Sequence, residues 1–144
     1  MKILFDTSIL VAAFVKTHPK HFECFSWIKK TMTEKIEACI SVHTLLEFYS
    51  AVTEILKINK LDSNSTIKIV KKNIYPHLNL VTYTENDYKN ILVKISELHI
   101  TGGACYDFLI AYAAFKQKVD FLLTLNKKHI ENLSSGLNLS ILEP

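Results

Sequence analysis

Arginine is absent from this chain: all 17 basic residues are lysine. Lysine meets a phosphate as a point charge, whereas two-pronged reading of a base edge falls mostly to arginine. The composition therefore favours contact with a nucleic-acid backbone over base-specific readout. Glycine is scarce as well, with 3 residues. No G-x-G-x-x-G follows the first apolar run, which excludes the dinucleotide-binding fingerprint. Cys24, Cys39 and Cys105 are odd in number, widely spaced and without a C-x-x-C pair. That pattern argues against a disulfide framework and a structural zinc site, and predicts reduced, buried thiols in a cytoplasmic protein. No apolar run approaches the roughly 20 residues that span a bilayer, so the expected protein is soluble. Lys2 precedes apolar residues as in a signal peptide, but Asp6 interrupts the run early and no small-x-small site closes it. The N-terminus is therefore read as mature structure.

What is present is enough apolar material for a core. With 144 residues, 49% of them hydrophobic, the chain suits one domain over 1–144 and is short for two. The net charge of +3 is modest. The lysine doublets Lys29-Lys30, Lys71-Lys72 and Lys127-Lys128 read first as solvated helix faces.

The stretch from Lys2 to Phe14 opens with a strand-like apolar run that delivers Asp6 to its carboxyl end. In open α/β sheets ligands sit beyond those ends. Taken alone, Asp6, Thr7 and Ser8 are equally well explained as caps of the helix that follows. That helix runs from Ser8 to Val15, and Thr17-His18-Pro19 interrupts it. A second helix is expected from Lys20 to Thr33, with Phe22, Phe25, Trp27 and Ile28 as its apolar stripe. His18 and His21 lack a third ligand nearby and read as surface histidines.

Ile36 to Val42 predicts a second strand running into a helix that starts at His43 and carries Glu47 in its first two turns. An exposed, dipole-favoured carboxylate is the plain alternative for Glu47. A helix over Leu61 to Asn73 and a strand over Leu78 to Tyr83 follow. Thr84-Glu-Asn-Asp87 then opens a helix bearing Tyr88, Ile91, Leu92, Ile95 and Leu98. Gly102-Gly103 ends it, and the next helix, Ala104 to Phe115, is apolar almost all round and so buried. Asp107 stands at its head, where an ionised acid must be capped, paired or metal-bound. Val119 to Leu125 predicts a strand that empties into Asn126-Lys127-Lys128-His129, and Leu137 to Ile141 alternates like an edge strand.

Strands alternating with helices predict an α/β fold, a three-layer α/β/α sandwich with a mostly parallel central sheet. In it Asp6, Glu47, Asp107 and Asn126 fall at one edge of the sheet. Carboxylates gathered from distant segments repel one another, and a hard divalent cation such as Mg²⁺ or Mn²⁺ offsets that cost. A divalent-metal site is the reading that joins them.

The segments FDTSIL, TLLEFYSAV, YDFLIAYAA and FLLTLNKKH, in this order, resemble the motifs of PIN-domain ribonucleases, and within that family those of VapC-type toxins. The resemblance covers nearly the whole chain. It implies a metal-dependent endoribonuclease in which Asp6, Glu47 and Asp107 bind Mg²⁺ or Mn²⁺. It also implies that Thr7 and Thr124 are small hydroxyl residues beside the site and that Asn126 takes a fourth position. Family members often have Asp at or just after that fourth position; here Asn126, Lys128 and His129 stand there, which leaves three acids, enough for one ion, and weakens the case for a second. Lys127 and Lys128 could hold flanking phosphates of an RNA substrate. A homodimer and a small antitoxin encoded alongside are further implications.

Two other enzyme classes fit poorly. A phosphohydrolase of the haloacid-dehalogenase type needs a second Asp two residues after the first, where this chain has Ser8. The nucleotide-binding class lacks its glycines. The remaining rival is non-enzymatic: an RNA- or partner-binding module on the same scaffold.

Overall fold

A computed structural model describes residues 1–33, 36–55 and 60–144. In chain order the elements are β1 (Lys2–Phe5), α1 (Thr7–Phe14), α2 (His21–Thr33), β2 (Glu37–Ser41), α3 (Val42–Ser50), α4 (Ser63–Ile69), β3 (Asn79–Val81), α5 (Glu85–Glu97), α6 (Ala104–Gln117), β4 (Phe121–Leu123), α7 (Lys127–Leu133) and β5 (Ile141–Leu142). Helices α3 and α4 each run on into a wider π turn, Ala51–Ile55 and Val70–Ile74.

Among the described residues the five strands form one sheet in the order β3-β2-β1-β4-β5, with every pairing parallel. The central strand explains the layering. Ile3, Leu4 and Phe5 are all fully buried, but successive side chains point to opposite faces. Ile3 and Phe5, with Ala38, Ile40 and Leu123, pack against α1, α2 and α3 through Ile9, Leu10, Cys24, Ile28 and Phe48. Leu4, with Cys39, Val81 and Leu122, meets Ile110, Ala113 and Ala114 of α6 and Ile130 of α7 on the other side. A strand buried on both faces reads as an unbroken apolar run, as β1 does. Complete burial of one such side chain contributes about 1.5–3 kcal/mol. The result is a three-layer α/β/α sandwich.

From β1 the chain moves outward to β2 and β3, then crosses back to lay β4 on the other side of β1. The crevice where that reversal falls, beyond the carboxyl ends of β1 and β4, is where such sheets hold ligands.

Two expected elements differ. The helix expected over 61–73 is α-helical only over Ser63–Ile69 and then widens, the Tyr75 N–H reaching the Val70 carbonyl at 3.0 Å before Pro76, which has no N–H to continue. The edge strand expected at 137–141 instead occupies Ile141–Leu142. Asn138 takes a left-handed φ of 50° and the Leu137 N–H turns back to the Ser134 carbonyl at 2.8 Å, so the alternating stretch begins as a turn that buries Leu137. All three cysteines are free, and burial raises the Cys24 and Cys39 thiols to about 11. Among the described residues no helix is long and apolar enough to cross a membrane.

Candidate functional site

Asp6 leaves β1 one residue past its register with β4, in which Phe5 faces Leu123. Its N–H continues the ladder to the Leu123 carbonyl at 2.9 Å, which sets its side chain beside Thr124. The carboxylate is nine-tenths or more buried, at 5% exposure. It heads α1, yet among the described residues its side chain makes no capping hydrogen bond. Instead Oδ2 accepts from the Ser8 and Thr124 hydroxyls, each at 2.6 Å. Those hydroxyls are themselves held from behind: Ser8 Oγ accepts the Leu125 N–H at 3.1 Å, and Thr124 Oγ1 accepts the Asn126 N–H at 3.0 Å. An oxygen already accepting from the backbone is oriented to donate its proton onward, so the turn after β4 is tied to Asp6 through two hydroxyls. Burial pushes the Asp6 carboxyl above its ordinary range, with a further push from Asp107, against the hydrogen bonds from Ser8 and Thr124.

Glu47 comes from α3, which begins as β2 ends. Ser41 caps that helix by accepting the His43 N–H at 3.1 Å, and this fixes which residues of the helix turn toward the crevice. Glu47 accepts a short hydrogen bond of 2.5 Å from Thr7 Oγ1 at one oxygen and stands 3.4 Å from His43 Nε2 at the other. Its side chain is about a quarter exposed, so the solvated-acid alternative does not describe it. Burial raises its carboxyl too; the charges of Asp6 and Asp107 push the same way, while Thr7 and His43 oppose them.

Asp107 lies in the first turn of α6, whose N-cap is Gly103. It is less buried than its helix: the side chain is 39% exposed and its partner is His129 Nε2 at 3.0 Å. Asn126, the N-cap residue of α7, is exposed and, among the described residues, makes no side-chain cap either. Among the described residues neither Asp6 nor Asn126, the N-cap residues of α1 and α7, makes a side-chain capping hydrogen bond.

One cavity of about 470 Å³ is lined by Asp6, Thr7, Ser8, His43, Glu47, Tyr106, Asp107 and Asn126 among others. Asn126 also borders a second recess of about 490 Å³, lined by Lys127, Lys128 and His129 on α7. Lys127 lies 3.8 Å from Glu131 on its own helix, while Lys128 is exposed.

Three groups here were not singled out from sequence. The spacing His43-x-x-x-Glu47 was a legible signal, since residues four apart on a helix are neighbours. The link of Ser8 to the Leu125 N–H and the contact of His129 with Asp107 had none, because they join segments 117 and 22 residues apart.

Among the described residues no three His, Cys, Asp or Glu side chains converge tightly enough to hold one ion. Each acid is drawn to its own partners: Asp6 to Ser8 and Thr124, Glu47 to Thr7 and His43, Asp107 to His129. In kind, however, the donors suit a hard divalent cation, being carboxylates around one cavity, where the charge of Asp107 helps to push the Asp6 and Glu47 carboxyls up.

The family model described as the PIN domain matches residues 3–133. The chain belongs to the PIN-domain family. It is 28% identical over 115 residues to Ribonuclease VapC27 of Mycobacterium tuberculosis, spanning 80% of this chain and 78% of that protein. Its fold is shared with VapBC2 from Rickettsia felis, solved bound to a promoter DNA fragment, at a TM-score of 0.66 and 21% identity over 100% of this chain and 99% of the other. FitAcB from Neisseria gonorrhoeae gives a TM-score of 0.66 at 16% identity over 97% and 96% of the two chains.

Proposed function

We propose that this PIN-domain protein is a metal-dependent endoribonuclease that hydrolyses RNA phosphodiester bonds, and that it is the toxin of a toxin–antitoxin pair. One observation carries the reading: Asp6, Glu47 and Asp107 come from three separate segments to the wall of one cavity, beside the switch point of a parallel sheet. The likeness to a protein named Ribonuclease VapC27 supports it.

In this reading Asp6, Glu47 and Asp107 would hold Mg²⁺ or Mn²⁺. When bound, the ion supplies a water of lowered pKa and neutralises charge at the phosphate. The chain's own residues do the positioning. Ser8 and Thr124 keep Asp6 in one orientation, and Thr7 does the same for Glu47. Asn126, between the two recesses, offers an uncharged amide to a substrate oxygen. Lys127 and Lys128 contact flanking phosphates, with Lys128 the freer of the two; such contacts weaken steeply with salt. A homodimer, a small protein antitoxin and a cytoplasmic location belong to the same proposal.

The spread of the acids among separate partners favours a second reading, a non-catalytic RNA- or protein-binding module. Incubating purified protein with RNA in Mg²⁺ or Mn²⁺ separates them. Cleavage is expected, and Asp6→Asn, Glu47→Gln and Asp107→Asn should each lower it by about two orders of magnitude or more. Uncut RNA under saturating metal would leave only the binding module, and an acid variant with near wild-type turnover would remove that residue from the site.

A further inference from the structure

The cavity holds an aromatic pair that the proposed hydrolysis does not use. Tyr106, the residue before Asp107 on α6, stacks on His43 of α3 with ring centroids 5.1 Å apart and planes 14° from parallel. The other side of the pair faces the acids, with His43 Nε2 3.4 Å from Glu47. Tyr106 is therefore backed on one side by the His43 ring, yet 54% of the residue is open to solvent where it lines the cavity. Leu46, 72% exposed, lines the same cavity.

A large aromatic left exposed carries a hydrophobic cost, and a flat ring beside acids suits a flat ligand better than a flexible chain does. An unpaired nucleobase is such a ligand, because every base has a π face and single strands leave those faces available. The neighbouring chemistry selects the same class. Asp107 follows Tyr106 in sequence, and Lys128 stands beyond Asn126 for phosphates. We propose that Tyr106, backed by His43, is a stacking platform for an unpaired base of single-stranded RNA, placed next to the bond to be cut. The proposal rests on the nuclease reading for its substrate, but the platform is testable without cleavage. It also accounts for how a chain with no arginine engages bases: through their faces, independently of sequence.

The test measures binding of a short, labelled, mixed-sequence oligoribonucleotide, single-stranded or as a blunt duplex, by fluorescence anisotropy. It is carried out in Asp107→Asn protein in EDTA, so that no RNA is cut and one charge facing the phosphates is gone. Tyr106→Ala and Tyr106→Leu are expected to weaken single-strand binding by about 5- to 100-fold, with Tyr106→Phe within about twofold and duplex binding unmoved. Tyr106→Leu keeps apolar bulk if the alanine variant folds poorly. Unchanged single-strand affinity in Tyr106→Ala would overturn the platform and leave the exposed ring for a protein partner. A leucine variant as tight as wild type, or a phenylalanine variant as weak as alanine, would also overturn it. With Asp107 restored and Mn²⁺ added, protein that binds single strands through Tyr106 but cuts nothing refutes the nuclease reading and not the platform.

Discussion

Thr124 Oγ1 donates a 2.6 Å hydrogen bond to Asp6 Oδ2 across 118 residues of sequence, and both side chains are buried. The bond follows from the β1–β4 register and makes one hydroxyl serve two purposes, since it also accepts the Asn126 N–H. Thr124→Val keeps the shape and removes both bonds. Metal-free protein should lose about 1–3 kcal/mol in urea unfolding, because a buried acceptor and a backbone donor lose a partner together. Thr124→Ser should stay near wild type. Equal stability of the valine variant would mean the hydroxyl is not part of the support of Asp6.

Asp6→Asn should move stability in the opposite direction. Burial and the charge of Asp107 both disfavour the ionised Asp6, whereas an amide oxygen can still accept from Ser8 and Thr124. In EDTA near pH 7 the variant should melt above wild type, with each kcal/mol of relief worth about 3–5 °C in a chain of this size. Excess Mn²⁺ should reverse the order, because an ion that binds the folded state stabilises the better ligand set more. Calorimetry of both proteins in the two buffers checks this, and wild type melting higher in EDTA would mean the carboxylate is at ease where it lies.

Asn126→Asp should tighten Mn²⁺ binding measured by calorimetric titration. It adds a charged oxygen at a residue that lines the acidic cavity and is exposed enough to turn toward it. The same change should lower metal-free stability through repulsion from Asp6 and Asp107. Weaker metal binding in the variant would place the Asn126 amide on the substrate instead.

The pH dependence of stability should carry a signature from outside the site. Asp87 closes the capping box of α5 with Thr84 and receives Lys116 at 2.5 Å, and the Lys116 hydrogen bond, followed by the Thr84 N–H, holds its carboxyl down at about 2. A depressed acid contributes its stability in full above its ordinary value of 3.8 and loses it as pH falls toward about 2. Asp87→Asn should therefore be less stable than wild type at pH 6 and converge with it near pH 2 in urea titrations. A gap that stays constant across that range would assign the loss to packing.

Much of the architecture was already written in local patterns. Apolar runs bounded by polar residues marked β1, β2 and β4, the Thr84–Asp87 box marked the start of α5, and the near-continuous apolar character of Ala104–Phe115 marked a helix buried against the sheet. Such signals survive because hydrogen bonding within an element and burial of one face are decided by residues a few positions apart. The tertiary structure decided the rest. Whether Asp6 capped a helix or faced a cavity depended on the hydroxyls beside it: Ser8, two residues on in the chain, and Thr124, which the parallel pairing of β1 with β4 brought there. The partners of Asp107 and Tyr106, His129 and His43, were chosen by how α6 packs near α7 and α3. The edge strand slipped to Ile141–Leu142 because burying Leu137 required a left-handed turn at Asn138. Composition and spacing bound what a side chain can do, but a charge buried between segments 118 residues apart takes its partners from the packing of the sheet and helices around it.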